Sequence, residues 1–502
     1  MAAVLALLMA AAARPSAEAG GLLLTASRVQ EPAGGLGDGA AATHSEQPCG
    51  SEPDEICSLP GLEGAPHVRL RSGYITVSEV SDRQLWYLVA DQEQQQQQQQ
   101  QPSRESEDDE YEDDTPVLLW LTGGPGCSSL DAFIYEHGPF KLAFKGGPAG
   151  QQRQVELTPN PFSWTKVATV IYVDSPAGAG MSYSGRPDVD YHTNDEYTIA
   201  DLITFLKGYA VGNPVTDDNV DGNAQLHFAA DMGYLDPPTW ADIRAACPGD
   251  VFWNATPGSE CWDAQAPVKD ALWDLNWYDV LDTCARDPEE DDLASRGVAA
   301  ASSAARRSFW PFTVRLAGAG EGAAPQAAAR AEAAGRSGGR KLWGPWLRHV
   351  APCLDRTVAL DWLNREDVRS ALHAAPASVI GGWQPCSDEL YYRLDTAELV
   401  PMHERLVAAG LRVMVYSGDH DMVVPHTGTR AWLYGMAAKR LGGPEGPLRA
   451  WLMDGQVAGF TTRFRRGGLL FATVKGAGHM VPQSKPAQAL HLLGTFLQNR
   501  EL

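Results

Sequence analysis

The sequence predicts an α/β fold with a mostly parallel central sheet and helices on both of its faces. Continuous apolar runs of strand length recur along the chain and enter glycine-rich turns, as at 116–121, 167–173 and 412–416. Such runs are typical of strands that are buried on both faces of a parallel sheet. Helical patterns lie between the runs, notably at 430–441 and 487–497. Buried strands that alternate with helices indicate this fold class.

Composition limits the size and the partners of the protein. Of the 502 residues, 44% are hydrophobic and 21% are charged, which is enough for a large core, and we expect one domain over 59–502. The net charge of −23 argues against nucleic acid as a partner, since phosphate binding needs clustered Lys and Arg. No segment reaches transmembrane length, so no membrane partner is predicted, and the oligomeric state stays open.

The N-terminus predicts export from the cytoplasm. The apolar run 4–13 is too short to span a bilayer, and Ala17-Glu18-Ala19 fits a cleavage site. We therefore predict a signal peptide at 1–19 and a product of the secretory pathway, either extracellular or in a vacuole or lysosome. Asn254-Ala255-Thr256 is a predicted N-glycosylation site.

The cysteines predict disulfides. Eight cysteines occur without any Cys-x-x-Cys pair, which argues against zinc ribbons and thioredoxin-like chemistry. In an exported protein the simplest interpretation is four disulfides, whose connectivity does not follow from spacing alone.

Two strands, at 72–77 and 84–89, come first, and two low-complexity inserts interrupt the later chain. The insert at 92–114 contains a glutamine run and then an acidic run, and the insert at about 286–340 is rich in Ala, Gly and Arg. Neither composition buries enough apolar surface to fold, so both are predicted to be loops without chemistry. A further strand is predicted at 208–212.

Two polar side chains follow predicted strands near the C-terminus. Asp421 comes after the strand at 412–416 through a Ser-Gly-Asp turn, and His479 comes after a strand at 470–474 through a Gly-Ala-Gly turn. A strand fixes the position of such a residue, and the glycine-rich turn lets its side chain reach a partner. The pattern predicts the acid and the base of a hydrolase triad. Asp419 lies in the same turn, but we expect Asp421 to orient the imidazole.

The nucleophile that this pair requires is not where the chain order demands it. Ser182 lies in Gly180-Met181-Ser182-Tyr183-Ser184-Gly185, which mimics a nucleophile turn, but the residues after it start no helix and do not complete strand–turn–helix. No His-Glu-x-x-His motif occurs, and His420 and His426 are interpreted as incidental. No metal and no cofactor are predicted.

Six ordered motifs between about 59 and 502 resemble the serine carboxypeptidases, the α/β-hydrolase family that removes C-terminal amino acids. In that family a strand and a Gly-Glu-Ser-Tyr-Ala-Gly turn precede the strand that begins Lys-Gly-Tyr. Here Leu206 is followed directly by Lys207, so the segment with the serine, the second oxyanion donor and one glutamate is missing. The motifs lie at 120–129, 160–164, 174–184, 207–214, 417–425 and 476–482.

The resemblance also implies roles for individual residues. The loop at 120–129 holds the oxyanion site, with Gly124 as a backbone donor, and Thr122, Gly123 and Glu136 bind the terminal carboxylate of the substrate. Peptides with a free C-terminal carboxylate are thus the implied partners. The implied disulfides are Cys127–Cys386, Cys247–Cys261 and Cys284–Cys353.

The function predicted is that of a serine-type carboxypeptidase acting through an acyl-enzyme, in a chain that is inactive or impaired. Thr122 stands where the family usually has asparagine, and with the stretch at 455–459 it resembles plant-type members, some of which are acyltransferases. An acyltransferase and a non-catalytic peptide-binding protein therefore remain alternatives. Because the missing strand lies in the middle of the sheet, its neighbours lose a pairing partner, and a destabilised product is expected.

Overall fold

The computed structural model of the chain describes residues 50, 52–93, 115–145, 154–202, 208–253, 255–256, 258–272, 275–284, 355–387, 389–393, 398–436, 443–465 and 468–502. The predicted signal peptide, most of the insert at 92–114, the insert at 286–340, Asn254 and Cys353 lie outside the described residues. Among the described helices, none is long and apolar enough to cross a membrane.

The described residues contain a strand at each of the seven predicted positions, within a few residues at each end, and seven further strands that were not predicted. In chain order the strands are β1 (Leu70–Ser78), β2 (Arg83–Ala90), β3 (Val117–Trp120), β4 (Phe140–Lys145), β5 (Gln154–Pro159), β6 (Thr169–Val173), β7 (Tyr183–Ser184), β8 (His192–Asn194), β9 (Gly208–Gly212), β10 (Tyr391–Arg393), β11 (Arg412–Gly418), β12 (Arg449–Met453), β13 (Gln456–Arg463) and β14 (Leu469–Val474).

Helices connect these strands and cover the sheets. The α-helices are Pro187–Asp190, Asp195–Leu202, Asp218–Asp231, Pro237–Ala246, Glu260–Ala271, Thr357–Leu363, Glu366–Ala371, Ala377–Ile380, Val400–Ala408, His426–Met436, Val481–Ser484 and Pro486–Leu497. A π-helical turn spans Ala132–Glu136, and 3₁₀ turns span Trp164–Lys166 and Pro248–Asp250.

The strands form two main sheets. The first has the order β1-β2-β6-β3, with β7 paired to β2, and the second has the order β12-β13-β14-β11-β9. The α/β class is confirmed, but the sheets are mixed where a mostly parallel sheet was predicted. Parallel pairing joins β3 to β6 and β9 to β11 to β14, whereas β1–β2 and β12–β13 are antiparallel. The short connections within the last two pairs allow only antiparallel neighbours.

The break between the two sheets falls where the sequence predicts a missing strand. Among the described strands, β3 pairs only with β6 and β9 pairs only with β11, so each lies at the end of its described sheet. The run at 116–121 was predicted to be buried on both faces, and this prediction was wrong. Val117 is 62% exposed and the rest of β3 is half-buried, because no described strand lies beyond its outer edge.

One helix covers both sheets. Pro486–Leu497 begins with a proline at its first position, which suits a helix start. Leu493 packs into the core of the first sheet beside Trp86 and Tyr172, whereas Leu492 packs into the core of the second. Burial of a leucine side chain contributes about 1.5–3 kcal/mol. This helix therefore holds the two sheets together although no strand joins them.

Candidate active site

Asp421 and His479 meet at one edge of the second sheet. β11 and β14 are parallel neighbours, so their carboxyl ends lie at the same edge. The turns that follow them bring His479 Nδ1 to 2.8 Å from Asp421 Oδ2. Asp421 is fully buried, and about a quarter of the His479 side chain is exposed. This is the geometry in which a carboxylate orients an imidazole.

Further donors fix the Asp421 carboxylate. Oδ2 also accepts a hydrogen bond of 2.8 Å from Asn213 Nδ2, and Oδ1 accepts bonds of 2.8 and 3.1 Å from the backbone N–H groups of Val423 and Val424. With the His479 bond these use the roughly four acceptor sites of an ionised carboxylate. The carboxylate therefore cannot turn away from the imidazole without losing bonds.

Asn213 is a site residue that the sequence analysis did not single out. It directly follows β9, has a left-handed backbone with φ of 42°, and donates to Asp421. Its side-chain oxygen also lies 3.4 Å from the N–H of Gly418. The available signal was an Asn-Pro pair at the end of a buried strand, inside the motif at 207–214.

The other nitrogen of His479 is free of intramolecular bonds in the described part of the chain. The backbone N–H of His479 donates to the Tyr278 carbonyl at 2.6 Å, and the two rings pack edge to face at 5.0 Å. Among the described residues no hydrogen bond to Nε2 occurs. A serine would have to stand at this nitrogen, and no described serine does.

Asp419 serves the turns. Its Oδ1 accepts a bond of 2.6 Å from the N–H of Gly476 and lies 3.7 Å from His420 Nε2. It thereby ties the turn after β11 to the turn after β14. His426 begins the helix His426–Met436. In the described residues no group of three or more His, Cys, Asp or Glu is arranged to hold a metal.

The predicted oxyanion loop follows β3. Gly124 and Gly126 have φ of 144° and 93°, and a Cβ on Gly124 would come within 2.9 Å of Cys127 Sγ, so these turns require glycine. The Thr122 hydroxyl accepts a hydrogen bond of 3.0 Å from the indole of Trp120. A Cβ on Gly123 would meet nothing within 4 Å, so the loop is open on that side.

The buried carboxylate of Asp174 holds this loop in place through hydrogen bonds. Its carboxylate accepts bonds of 2.8 Å from the Ser128 hydroxyl, 2.7 Å from the Ser129 N–H and 2.8 Å from the Met181 N–H. Burial raises the pKa of Asp174 to about 6, although these donors pull the pKa down. Asp174 was also not predicted from the sequence. Its hydrogen bonds join the loop at 120–129 to the loop at 174–184.

Ser182 has a structural position. Its hydroxyl donates to the Asp174 carbonyl at 2.6 Å and accepts from the Trp86 N–H at 2.7 Å, and the residue is buried. A hydroxyl held in this way is not available as a nucleophile, which agrees with the interpretation of the segment at 180–185 as a mimic.

Glu136 ends the π-helical turn and is buried. Burial first, and then the charge of Asp131, raises the pKa of Glu136 to about 8, although the charge of Lys141 opposes both. The carboxyl is therefore protonated near neutral pH. The π-helical turn contacts Val481–Ser484, the short helix that begins two residues after His479.

Disulfides brace the loops around the site. Cys127–Cys386 ties the oxyanion loop to the segment before β10, and Cys247–Cys261 joins two helices. Cys57 and Cys284 are also disulfide-bonded. The remaining predicted partner, Cys353, and the glycosylation residue Asn254 lie outside the described residues.

Comparison with known proteins places this site in a family. The sequence model described as serine carboxypeptidase matches residues 60–209 and 204–499, which together span most of the chain. The two matches meet at 204–209, which includes the Leu206–Lys207 junction. The fold resembles the crystal structure of Kex1(delta)p, a prohormone-processing carboxypeptidase from Saccharomyces cerevisiae, with a TM-score of 0.54 and 15% identity over 89% of this chain and 96% of that chain.

Curated relatives agree with the family model. Serine carboxypeptidase 1 of Hordeum vulgare is 35% identical over 499 residues, which cover 89% of this chain and 93% of the relative. Serine carboxypeptidase-like 21 of Arabidopsis thaliana is 33% identical over 498 residues, which cover 89% and 94%. This chain belongs to the serine carboxypeptidase family.

Proposed function

We propose that this chain is a serine carboxypeptidase with an assembled acid–base pair and no nucleophile, so that it is inactive or severely impaired in peptide hydrolysis. The observation that carries the proposal is the 2.8 Å contact between His479 and Asp421 together with an Nε2 that no described hydroxyl reaches. Asp421 is assigned as the orienting acid, His479 as the base and Gly124 as an oxyanion donor.

In an intact site each group has one task. His479 Nε2 takes the proton of the serine hydroxyl as the hydroxyl attacks the scissile carbonyl, and Asp421 stabilises the imidazolium that results. The Gly124 N–H donates to the oxygen that becomes negative. Removal of a catalytic serine lowers kcat about 10⁶-fold in a serine protease of another fold, and a similar loss is expected here.

The substrate class proposed is a peptide with a free C-terminal carboxylate. A protonated Glu136 donates a hydrogen bond to a carboxylate, whereas an ionised one would repel it. Thr122 and Gly123 in the open loop are assigned to the same clamp. Because this binding needs no serine, retention of C-terminal peptides without turnover is the second candidate function.

An acyltransferase is the third candidate, and Thr122 is what favours it. The stretch at 455–459 lies at the β12–β13 hairpin, on the outer edge of the second sheet, so the argument for transfer depends on Thr122 alone. Acyl transfer to an alcohol also requires the missing serine.

Export through the secretory pathway is proposed on the signal peptide at 1–19. The disulfides support it, because such bonds persist in oxidising compartments. Glycosylation of Asn254 and a single domain over 59–502 are part of the same proposal. Mass spectrometry of the secreted protein gives its N-terminus and its glycan. It therefore tests the cleavage of the signal peptide and the glycosylation of Asn254.

A comparison of three chains tests the proposed activity. They are this chain, a restored chain with the strand and Gly-Glu-Ser-Tyr-Ala-Gly turn of the family inserted between Leu206 and Lys207, and the restored chain with alanine for the inserted serine. We expect labelling by a fluorophosphonate probe, and release of the C-terminal residue from a blocked dipeptide, only in the restored chain. Labelling of this chain that Ser182→Ala removes would show that Ser182 is the nucleophile and would refute the proposal.

A further inference from the structure

Segment 275–284 contacts both of the turns that carry the acid–base pair. Its Trp277 carbonyl accepts hydrogen bonds of 3.0 and 3.2 Å from the N–H groups of residues 422 and 423, which directly follow the acid. Its Tyr278 carbonyl accepts the bond of 2.6 Å from the N–H of the base, His479. A segment outside the two turns therefore fixes the backbone next to each member of the pair.

The same segment packs tightly against the base turn. A Cβ on Gly478 would clash with the Tyr278 carbonyl oxygen and would come within 2.6 Å of the Cβ of Asp279. Only glycine allows two stretches of backbone to approach this closely. Asp279 thus lies directly against the residue that precedes His479.

His420 lies in the acid turn, at the point where this turn meets the base turn and segment 275–284. The His420 N–H donates to the Ala477 carbonyl of the base turn at 2.9 Å. The His420 carbonyl accepts a bond of 3.1 Å from the Val280 N–H of the segment. The backbone of this one residue therefore joins all three.

The ring of His420 lies between two carboxylates. Its Nδ1 is 3.5 Å from Asp279 Oδ1, and its Nε2 is 3.7 Å from Asp419 Oδ1, which are distances of ion pairs and not of hydrogen bonds. Between 17% and 30% of each of these side chains is exposed, so water screens the contacts only in part. The same Asp419 oxygen accepts the bond from the Gly476 N–H. The contacts thus lead from segment 275–284 through the ring to the base turn.

We propose that His420 is a positioning residue for the reaction, because its ring holds the acid turn and the base turn together by facing Asp279 and Asp419 at once. This inference rests on the proposed function, which assigns Asp421 and His479 as the pair that is positioned. A displacement of about 1 Å in such a pair can cost about 10²-fold in rate. The sequence pattern had led to the interpretation of His420 as incidental, since it does not show these contacts with distant segments.

Three single variants test the contact. His420→Ala removes the ring and keeps both backbone bonds. Asp279→Asn removes the charge and keeps an oxygen for the Leu281 N–H, which Asp279 Oδ1 accepts at 3.3 Å. Asp282→Asn is the matched control, because Asp282 is exposed in the same segment and its carboxylate accepts the N–H of the next residue, Thr283.

Hydrogen exchange of this chain, followed by mass spectrometry, measures how firmly the base turn is held and needs no activity. In His420→Ala and Asp279→Asn we expect the amides at 476–479 to exchange about tenfold faster, because the turn opens more easily. The amides of β1 and β2 should exchange as before, which separates a local effect from a global loss of stability. Unchanged exchange at 476–479 would overturn the inference, and so would an equal increase in Asp282→Asn.

Kinetics of the restored chain measure the effect on the reaction. For a blocked dipeptide, kcat should fall about 10- to 100-fold in His420→Ala and about tenfold in Asp279→Asn, with KM changed by less than about twofold. The double variant should be no slower than His420→Ala alone, because both changes remove the same contact. Losses that multiply in the double variant, or a rise in KM at an unchanged kcat, would contradict the proposed role.

The two measurements separate this inference from the proposed function. If the restored chain is inactive and His420→Ala still accelerates exchange at 476–479 in this chain, the proposed function fails and the hold of His420 on the two turns stands. If the restored chain is active and neither exchange nor kcat responds to His420→Ala, only the inference about His420 fails.

Discussion

β11 and β3 differ in burial and in pairing, although both belong to sheets that end where a strand is predicted to be missing. β11 has a partner on each side, is buried beyond its first residue, and leads to an Asp421 that accepts four hydrogen bonds. β3 has one partner and exposes Val117. The proposed acid–base pair depends on one sheet and its own turns, whereas the proposed oxyanion loop extends from β3, which lies at the edge of the other described sheet.

We expect the contact between Asp421 and His479 to form whether or not the missing strand is present. The contact between Asp421 and His479 is complete within the second sheet, and Asn213 contributes from β9, the strand nearest the gap. The pair should therefore be present in this chain and in the restored chain alike. What restoration changes is the partner of His479 Nε2 and the support of β3.

Among substitutions of residues that this chain already carries, the largest effect expected is that of Asp421→Asn in the restored chain, about 10⁴-fold in kcat. In asparagine one of the two carboxylate oxygens becomes an NH2 group, which donates and cannot accept. Either the bonds from His479 and Asn213 or those from the Val423 and Val424 N–H groups are then lost, so the imidazole is no longer held in its orientation. Hydrolysis of a blocked dipeptide measures the loss. Asp419→Asn is the matched control and should cost less than about tenfold. A comparable loss in both variants would contradict the assignment of Asp421.

Glu136→Gln should remove a pH dependence of stability. The pKa of Glu136 is raised to about 8, above its value in the unfolded chain, so the folded state holds the proton more tightly. Stability from this group is complete below about pH 4.5 and is lost as the pH rises to about 8, by at most about 5 kcal/mol. Urea unfolding of this chain and of Glu136→Gln at pH 4 and pH 8 measures the difference.

The control for this measurement is Asp174→Asn. The pKa of Asp174 is raised only to about 6 by burial, so its contribution should be lost at lower pH than that of Glu136. If the free energy of unfolding of Glu136→Gln falls between pH 4 and pH 8 as steeply as that of the parent, Glu136 is ionised in the fold and the clamp lacks its donor.

Asn213→Gly should destabilise this chain by about 2 kcal/mol. Glycine keeps the left-handed backbone at this position but removes the donor to Asp421, and hydrogen bonds to charged groups contribute about 1.5–3 kcal/mol. Urea unfolding measures the loss, and kcat of the restored chain should fall as well. Asn364→Gly is the control, because Asn364 bonds only backbone groups and Arg369, away from the site. An unchanged kcat of the restored chain would limit Asn213 to a structural role.

Features that depend on local sequence were predicted better than contacts between residues far apart in the chain. The glycine-rich turns after β11 and β14 predicted that Asp421 and His479 lie at one sheet edge, and they lie 2.8 Å apart. Asn213 was missed because its bond to Asp421 spans 208 residues and an Asn-Pro pair also signals an ordinary turn. The exposure of β3 was missed because its burial was predicted from the apolar run alone, and such a run shows what a strand needs and not what covers it. The missing strand that the same sequence predicted was not applied to β3.

The smallest effect concerns the exposed edge itself. Val117→Lys should change the free energy of unfolding of this chain by less than about 0.5 kcal/mol, because the side chain is 62% exposed. A lysine on an edge strand opposes pairing with other chains, so the concentration at which the protein aggregates should rise. Light scattering during a concentration series measures it. Val80→Lys, at a residue that is 87% exposed in a turn, is the control and should have no such effect.

In the restored chain the inserted strand covers β3, so Val117→Lys should there destabilise the fold. An equally small change in the free energy of unfolding of both chains would mean that the restored strand does not reach β3.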